Sequence, residues 1–147
     1  MTVAENKNCV LCDRSLESLI WAGVSCRVIL VQDENYPGFC RVIWQDHVKE
    51  MTDLSEVQRT DVMRIVWHVE SAIRSVMQPD KINVASLGNQ VPHVHWHIIP
   101  RYQDDVHFPN LIWASAQRAP DAQRIAERQT RLPELRATIH HLLAQEK

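Results

Sequence analysis

The chain has 147 residues, a length typical of one domain. Hydrophobic residues make up 45% of it and charged residues 23%, which indicates a globular protein rather than a disordered one. The formal net charge of −2 supplies no basic field for sequence-independent binding of nucleic acid, so we expect no nucleic-acid partner. No apolar run reaches the roughly 18 residues of a membrane span, and residues 1–6 lack a signal-peptide pattern. We therefore expect a cytoplasmic protein without a membrane partner.

The first third of the chain predicts a β-hairpin. Apolar and β-branched residues run through 15–31, ending in a strand at 26–31, and a second such stretch spans 39–44. Residues 33–38 between them contain Asn, Pro and Gly, which favour a turn. Two strands joined by a short turn are expected to pair antiparallel.

A long amphipathic helix is predicted next. Ser55 is followed by Gln58 three residues later, which is the pattern of a capping box, and Thr52 is the alternative cap. Residues 78–80, with a central proline, predict the end of the helix. Apolar residues recur at helical spacing and form one stripe, whose members are Val62, Ile65, Val66, Val69, Ile73, Val76 and Met77.

The second half of the chain predicts two more strands and a helical tail. Residues 81–87 and 93–100 are typical of strands, with a tight loop at 88–92 between them. The segment 119–130 is charged and favours a helix, and Pro133 suits the first turn of a last helix. This order of elements predicts an α+β fold with a small antiparallel sheet, one long helix and a helical C-terminal tail.

Histidines alternate with apolar residues between positions 93 and 98. Because successive side chains of a strand point to opposite faces, His93, His95 and His97 share one face. Imidazole suits proton transfer and nucleophilic chemistry near neutral pH, so this face predicts a reactive site. His93 and His97 lie about 13 Å apart along an unbroken strand, too far to share one metal ion, and the middle His95 is the candidate for the reactive role. The opposite face predicts core packing by Val94, Trp96 and Ile98.

This pattern resembles the motif of the histidine triad (HIT) superfamily of nucleotide hydrolases and transferases. The family motif, His-x-His-x-His followed by apolar residues, matches this sequence at His93, His95 and His97. Residues 88–92 stand where many members have Gly-Gln-Ser/Thr-Val-x. Residues 101–109 resemble a bacterial branch described as diadenosine-polyphosphate-hydrolase-like.

The resemblance extends over about residues 9–115 and implies a HIT-like α+β fold. It implies a single HIT domain over residues 1–147, with its core at about 9–115 and a helical C-terminal extension at about 119–147. Members of the superfamily usually pair, so a homodimer is expected.

The resemblance also implies a reaction. His95 attacks the α-phosphate of a nucleotide and forms a nucleotidyl-histidine, from which water releases the nucleoside monophosphate. His97 contacts phosphate oxygens or assists proton transfer, and His93 belongs to the shell that supports the substrate site. The implied substrates are dinucleoside polyphosphates or nucleoside phosphoramidates, with no cofactor for catalysis. The alternative is a non-catalytic HIT domain that binds a nucleotide or a protein partner.

The loop before the motif has the composition of a phosphate-binding loop. Gly88 permits a close approach of the backbone to a ligand. The N–H groups of Asn89, Gln90 and Val91 are then able to face an anion. A simple strand-to-strand turn is the alternative interpretation. Arg101, just after the motif strand, pairs with phosphate or, alternatively, forms an exposed salt bridge.

Three positions depart from the family's usual residues. The apolar Leu87 stands near a position where polar contact with the ligand is common, and Gln90 replaces a frequent Ser or Thr. Phe39 stands where many members have a histidine. These changes are compatible with the core reaction and leave the substrate open. Trp113 is expected to pack or, alternatively, to cover a base or a dimer partner.

The N-terminal segment carries a Cys-x-x-Cys pair, Cys9 and Cys12, which alone indicates either a redox pair or half of a zinc site. Some HIT proteins hold a structural zinc with such a pair, a histidine after the second strand and the first histidine of the triad. The matching histidines here are His47 and His93. Four such ligands close a tetrahedral site, which indicates a structural metal. The alternatives are thiols packed as small hydrophobic side chains, or a zinc-stabilised interaction module without enzymatic activity.

Overall fold

One antiparallel sheet of five strands organises residues 4–145, the part of the chain that the computed structural model describes. The strands follow the order β1-β2-β3-β5-β4, and every neighbouring pair is antiparallel. The predicted domain limits at residues 1–3 and 146–147 lie outside the described residues. The strands are β1 (Ser18–Ala22), β2 (Cys26–Leu30), β3 (Cys40–Trp44), β4 (Lys81–Ala85) and β5 (His95–Arg101).

Helices complete the described part of the chain and make the fold α+β, as predicted. The predicted helical tail forms two helices after residue 120. No helix within residues 4–145 is long and apolar enough to cross a membrane. The helical elements are a 3-10 turn at Met51–Asp53, α1 (Glu56–Met77), α2 (Ala122–Gln129) and α3 (Leu132–Ala144).

The stretch at 15–31 forms two strands, β1 and β2, where the sequence predicted one. The N–H of Gly23 donates to the carbonyl of Cys26 at 2.8 Å, so the chain turns between the two strands. A Cβ at position 23 would lie 2.2 Å from the indole of Trp21, which explains why glycine fits this turn. The sequence gives little sign of this turn, because Gly23 stands in it without a neighbouring Pro, Asn or Asp. The predicted hairpin of β2 and β3 is confirmed, with Cys26 opposite Trp44.

Helix α1 begins and ends where the sequence predicted. The Ser55 hydroxyl accepts from the N–H of Gln58 at 3.2 Å, and the Gln58 side chain accepts from the N–H of Ser55 at 2.8 Å. The helix ends at Gln78, whose φ of 50° places it in the left-handed region. The whole predicted apolar stripe is buried in the core.

Helices α1 and α3 cover one face of the sheet. Residues Leu135, Ile139 and Leu143 of α3 pack into the same core as α1 and the strands, which explains why the tail is helical. Pro133 occupies the first turn of α3, as predicted. Cys26 and Cys40 are fully buried in this core. The opposite face of the sheet is therefore the face left for a site.

The motif strand begins two residues later than predicted. The N–H of His93 donates to the carbonyl of Val91 at 2.8 Å, so the chain turns there and β5 starts at His95. Val94 and Ile98 are buried in the core below α1, as the alternation predicted. The strand alternation then turns His95 and His97 to the face opposite the helices.

Candidate active site

A cavity of about 330 Å³ opens on the sheet face opposite α1. It is formed where β3 and β5 meet the N-terminal segment, the loop before β5 and the loop after it. Its volume is in the range of small-molecule sites. The residues that line it are Val10, Leu11, Arg41, Leu87, Gly88, Asn89, Gln90, Val91, His95, His97 and Trp113.

His95 lines this cavity, and its Nε2 makes no hydrogen bond within residues 4–145. Its Nδ1 lies 2.6 Å from the carbonyl oxygen of His93. Because a carbonyl only accepts, Nδ1 of the neutral ring carries the proton and Nε2 keeps its lone pair. Burial lowers the pKa of His95 below its ordinary value of 6.5. The neutral ring is therefore suited to nucleophilic attack through Nε2.

His97 has the opposite proton arrangement. The Nε–H of Arg41 donates to Nδ1 of His97 at 3.3 Å, so the proton of the neutral His97 ring sits on Nε2. The rings of His95 and His97 meet edge to face, with centroids 4.9 Å apart. Burial, followed by the charges of His95 and Arg41, lowers the pKa of His97 to about 4. The unprotonated Nε2 of His95 and the protonated Nε2 of His97 thus belong to neighbouring rings.

The loop at 88–91 lies beside His95, where the sequence placed a phosphate-binding loop. Gly88 has a φ of +89°, a left-handed conformation that favours glycine. The hydroxyl of Ser86 donates to the carbonyl of His95 at 2.7 Å and ties the loop to β5. Within residues 4–145, the backbone N–H groups of Asn89, Gln90 and Val91 donate to no acceptor. The loop therefore offers several donors at the cavity mouth.

Exposed hydrophobic side chains form the cavity rim. Val10, Leu87 and Trp113 are each more than half exposed, although they are large and apolar. The Trp113 ring lies against His97, with centroids 5.1 Å apart. Trp113 therefore packs on one side, and its covering of a base or a dimer partner stays a prediction. An apolar rim around polar donors is typical of sites for small aromatic ligands.

Arg101 is not brought to the cavity. It is 2% exposed, and its Nε donates to the carboxylate of Asp105 at 2.8 Å. Its terminal nitrogens donate to the side chain of Asn83 and the carbonyl of Asn110, both at 2.7 Å. Neither the predicted phosphate contact nor an exposed salt bridge describes this environment. The arginine that lines the cavity is Arg41, which the sequence analysis missed.

The alternation of side chains along β3 predicts which face of the sheet Arg41 occupies. Cys40 and Val42 of β3 face the core, so the side chain between them faces the other side of the sheet. Arg41 lies directly opposite His97 in the β3–β5 register. β3 and β5 are distant in sequence, so the alternation of β3 alone does not predict that Arg41 lies beside His97.

The four predicted zinc ligands are brought together next to the cavity. Nδ1 of His93 lies 3.5 Å from Sγ of Cys9 and 3.6 Å from Sγ of Cys12. Nδ1 of His47 lies 3.5 Å from Sγ of Cys12, and all four ligand atoms lie within 4.8 Å of one another. Zinc–sulfur bonds of about 2.3 Å and zinc–nitrogen bonds of about 2.0 Å at a tetrahedral angle give a sulfur–nitrogen edge of about 3.5 Å. These residues could therefore hold a metal ion.

The surroundings of this cluster also suit a metal. Nε2 of His93 donates to the carbonyl of Trp44 at 2.6 Å, which leaves the Nδ1 lone pair toward the cysteines. The backbone N–H of Asn6 donates to Sγ of Cys12 at 3.4 Å. The buried Arg27 binds the carbonyl of Leu11 and thereby anchors the cysteine segment on the sheet.

Comparison with known proteins agrees with the histidine pattern. Residues 17–104, more than half of the chain, match the family model of the HIT domain. The chain therefore belongs to the HIT family, and its predicted HIT-like α+β fold is confirmed. A histidine triad protein from Bradyrhizobium japonicum is 30% identical and superposes with a TM-score of 0.69, over 83% of this chain and 91% of that one.

Two further comparisons are with a curated enzyme and with a zinc-bound protein of the same fold. The asymmetrical bis(5'-nucleosyl)-tetraphosphatase of Schizosaccharomyces pombe is 32% identical over 87 residues, which are 56% of this chain and 48% of that enzyme. The chain thus matches about half the length of this curated relative. A zinc-bound histidine triad family protein from Mycobacterium smegmatis has a TM-score of 0.66 and 21% identity, covering 95% of this chain and 98% of that one.

Proposed function

We propose that this protein is a nucleotide hydrolase or transferase that cleaves at an α-phosphate through a covalent nucleotidyl-His95. The observation that carries the proposal is the proton arrangement of the two histidines. Nε2 of His95 is an unprotonated nucleophile, because Nδ1 donates to the His93 carbonyl. Nε2 of His97 is a donor, because Arg41 occupies its Nδ1.

In the first step, the Nε2 lone pair of His95 forms a bond to the α-phosphorus. The bond from phosphorus to the leaving phosphate chain breaks, and the leaving group departs with that electron pair. Nε2–H of His97 donates to a phosphate oxygen on which negative charge builds up. The His93 carbonyl stabilises the positive charge that develops on the His95 ring. In the second step, water attacks the same phosphorus, and the bond from phosphorus to Nε2 of His95 breaks. Nε2 leaves with its lone pair restored, and one proton of the water passes to solvent.

Dinucleoside polyphosphates are the proposed substrates, followed by nucleoside phosphoramidates. Support comes from the tetraphosphatase of Schizosaccharomyces pombe, whose name specifies such a substrate. The loop at 88–91 supplies backbone donors suited to phosphate oxygens. Homodimerisation and a cytoplasmic location remain predictions.

We further propose that Cys9, Cys12, His47 and His93 hold a structural zinc ion. The sulfur–nitrogen distances and the donor set support this assignment. Two thiolates and two imidazoles leave no open coordination position, so the metal would crosslink the N-terminal segment to the sheet. No cofactor is proposed for the reaction itself.

The experiment for the proposed function is turnover of diadenosine tetraphosphate and an adenosine phosphoramidate, with the products separated by chromatography. We expect His95→Asn to lower the rate by more than about a thousandfold, because it removes the nucleophile. His140→Asn, which alters an exposed histidine of α3, is the matched control and should keep the wild-type rate. Nucleotide binding without turnover by the wild-type protein would instead support the non-catalytic alternative.

A further inference from the structure

Arg41 is a half-buried cation without an anionic partner. Among residues 4–145, no carboxylate lies within ion-pair distance of it, and its described hydrogen bond is the one from Nε to His97. Two other buried arginines show the contrast. Arg27 pairs with Glu17, and Arg101 pairs with Asp105.

The environment of Arg41 would suit the negative charge of a ligand in the cavity. Burial lowers the pKa of Arg41, since the charged guanidinium loses hydration without gaining a counter-charge. Its guanidinium carbon lies 5.6 Å from the centre of the Phe39 ring, which holds the group on one side. Among the described residues, its terminal nitrogens donate to no acceptor, and the side chain lines the same cavity as His95 and His97. A planar guanidinium suits the oxygens of a phosphate chain.

We propose that Arg41 is a specificity-determining residue that binds the phosphate chain of the substrate, so that the site prefers nucleoside polyphosphates over phosphoramidates. This inference rests on the proposed function, because it assigns the substrate class of the same cavity. Through Nε, the same arginine is a positioning residue that keeps the Nε2–H of His97 directed at phosphate. The rest of the guanidinium would contact oxygens of the leaving chain, which a phosphoramidate lacks.

The first test measures binding and needs no turnover. Calorimetry compares a non-hydrolysable, methylene-bridged adenosine triphosphate with adenosine on wild-type protein, Arg41→Gln and Arg41→Lys. We expect Arg41→Gln to weaken binding of the triphosphate analogue by about tenfold or more and to leave the affinity for adenosine unchanged. Arg41→Lys should recover part of the lost affinity for the analogue. Arg74→Gln, on an exposed position of α1 across the sheet, is the matched control and should bind both ligands like the wild type.

A second readout separates positioning from simple packing. Nitrogen-15 NMR of the histidine rings reports which nitrogen of His97 carries the proton. In wild-type protein we expect the proton on Nε2, and in Arg41→Gln we expect a mixture of tautomers and a higher pKa for His97. Removal of a neighbouring positive charge raises the pKa of an imidazole.

Two outcomes would overturn the inference. In one, Arg41→Gln binds the triphosphate analogue as tightly as the wild type. In the other, it loses adenosine and the analogue by the same factor, so that Arg41 maintains the cavity and does not bind phosphate. The proposed function fails separately: absence of turnover with every substrate, together with charge-dependent binding at Arg41, would leave this inference standing.

Discussion

The carbonyl oxygen of His93 accepts a hydrogen bond from Nδ1 of His95, with 2.6 Å between the two atoms. The side chain of the same His93 contacts Cys9 and Cys12. One residue therefore orients the proposed nucleophile through its backbone and joins the cysteine pair through its ring. We expect the cluster to hold the His93 backbone, and with it the His95 ring, in a fixed position.

Replacing both Cys9 and Cys12 by Ser is expected to abolish zinc binding and to lower the stability of the fold. The free energy of unfolding should fall by about 3 kcal/mol or more, because a metal that binds only the folded state stabilises that state. Elemental analysis measures the zinc, and thermal unfolding with and without a chelator measures its contribution.

The control for this experiment is Cys40→Ala, which removes a fully buried thiol outside the cluster. This variant should unfold at a lower temperature, yet keep its zinc and its sensitivity to the chelator. Zinc-free wild-type protein, expressed with zinc and purified under reducing conditions, would contradict the assignment.

The lowered pKa of His97 predicts that the folded protein loses stability in acid. Its pKa is about 4 in the folded protein and 6.5 ordinarily, so between these values the unfolded chain binds a proton that the folded chain does not. The contribution is complete above pH 6.5 and is lost as the pH falls toward 4, by on the order of 3 kcal/mol in total. Urea unfolding across this pH range should show that the free energy of unfolding depends less steeply on pH in His97→Gln than in wild-type protein. Equal slopes would be inconsistent with a neutral, buried His97.

Trp113 is expected to contribute to binding of the nucleobase. It is 51% exposed at the cavity rim, and stacking of a base on an aromatic ring contributes about 1–3 kcal/mol. Trp113→Ala should therefore weaken adenosine binding by about tenfold, measured by calorimetry. The matched control is Trp67→Ala, which removes a tryptophan of similar exposure from α1 on the other side of the sheet. Equal losses in both variants would argue against a base contact.

Arg101 is expected to stabilise the fold and not to bind phosphate. Arg101→Met leaves the carboxylate of Asp105 buried without its cation, which is expected to cost about 3–5 kcal/mol of folding free energy. Chemical denaturation measures this loss, and calorimetry on the folded fraction measures nucleotide affinity. A variant with wild-type stability and weakened nucleotide binding would restore the phosphate contact suggested by the sequence.

The sequence predicted the elements whose signal is local. The capping box at Ser55 and Gln58 defined the start of α1, because both side chains serve a backbone within three residues. The alternation of β5 correctly placed Ile98 in the core and His95 on the other face. These patterns depend on the periods of helix and strand, which do not require knowledge of the rest of the fold.

Features that depend on distant pairing were out of reach. Arg41 reaches the site because β3 pairs with β5 across 56 positions of the chain, with Arg41 opposite His97. Arg101 lies outside the cavity, because it forms an ion pair with Asp105, four residues later in the chain. The cluster of Cys9 with His93 joins segments 84 residues apart, and it was expected from family resemblance rather than from spacing.

Nucleophilic attack by His95 is tested by intact mass spectrometry of protein mixed briefly with diadenosine tetraphosphate. We predict a transient mass increase by one adenylyl group, which is adenosine monophosphate less one water, on the wild-type protein and none on His95→Ala. An adduct that persists on His95→Ala, or product formation by that variant at the wild-type rate, would contradict nucleophilic attack by His95.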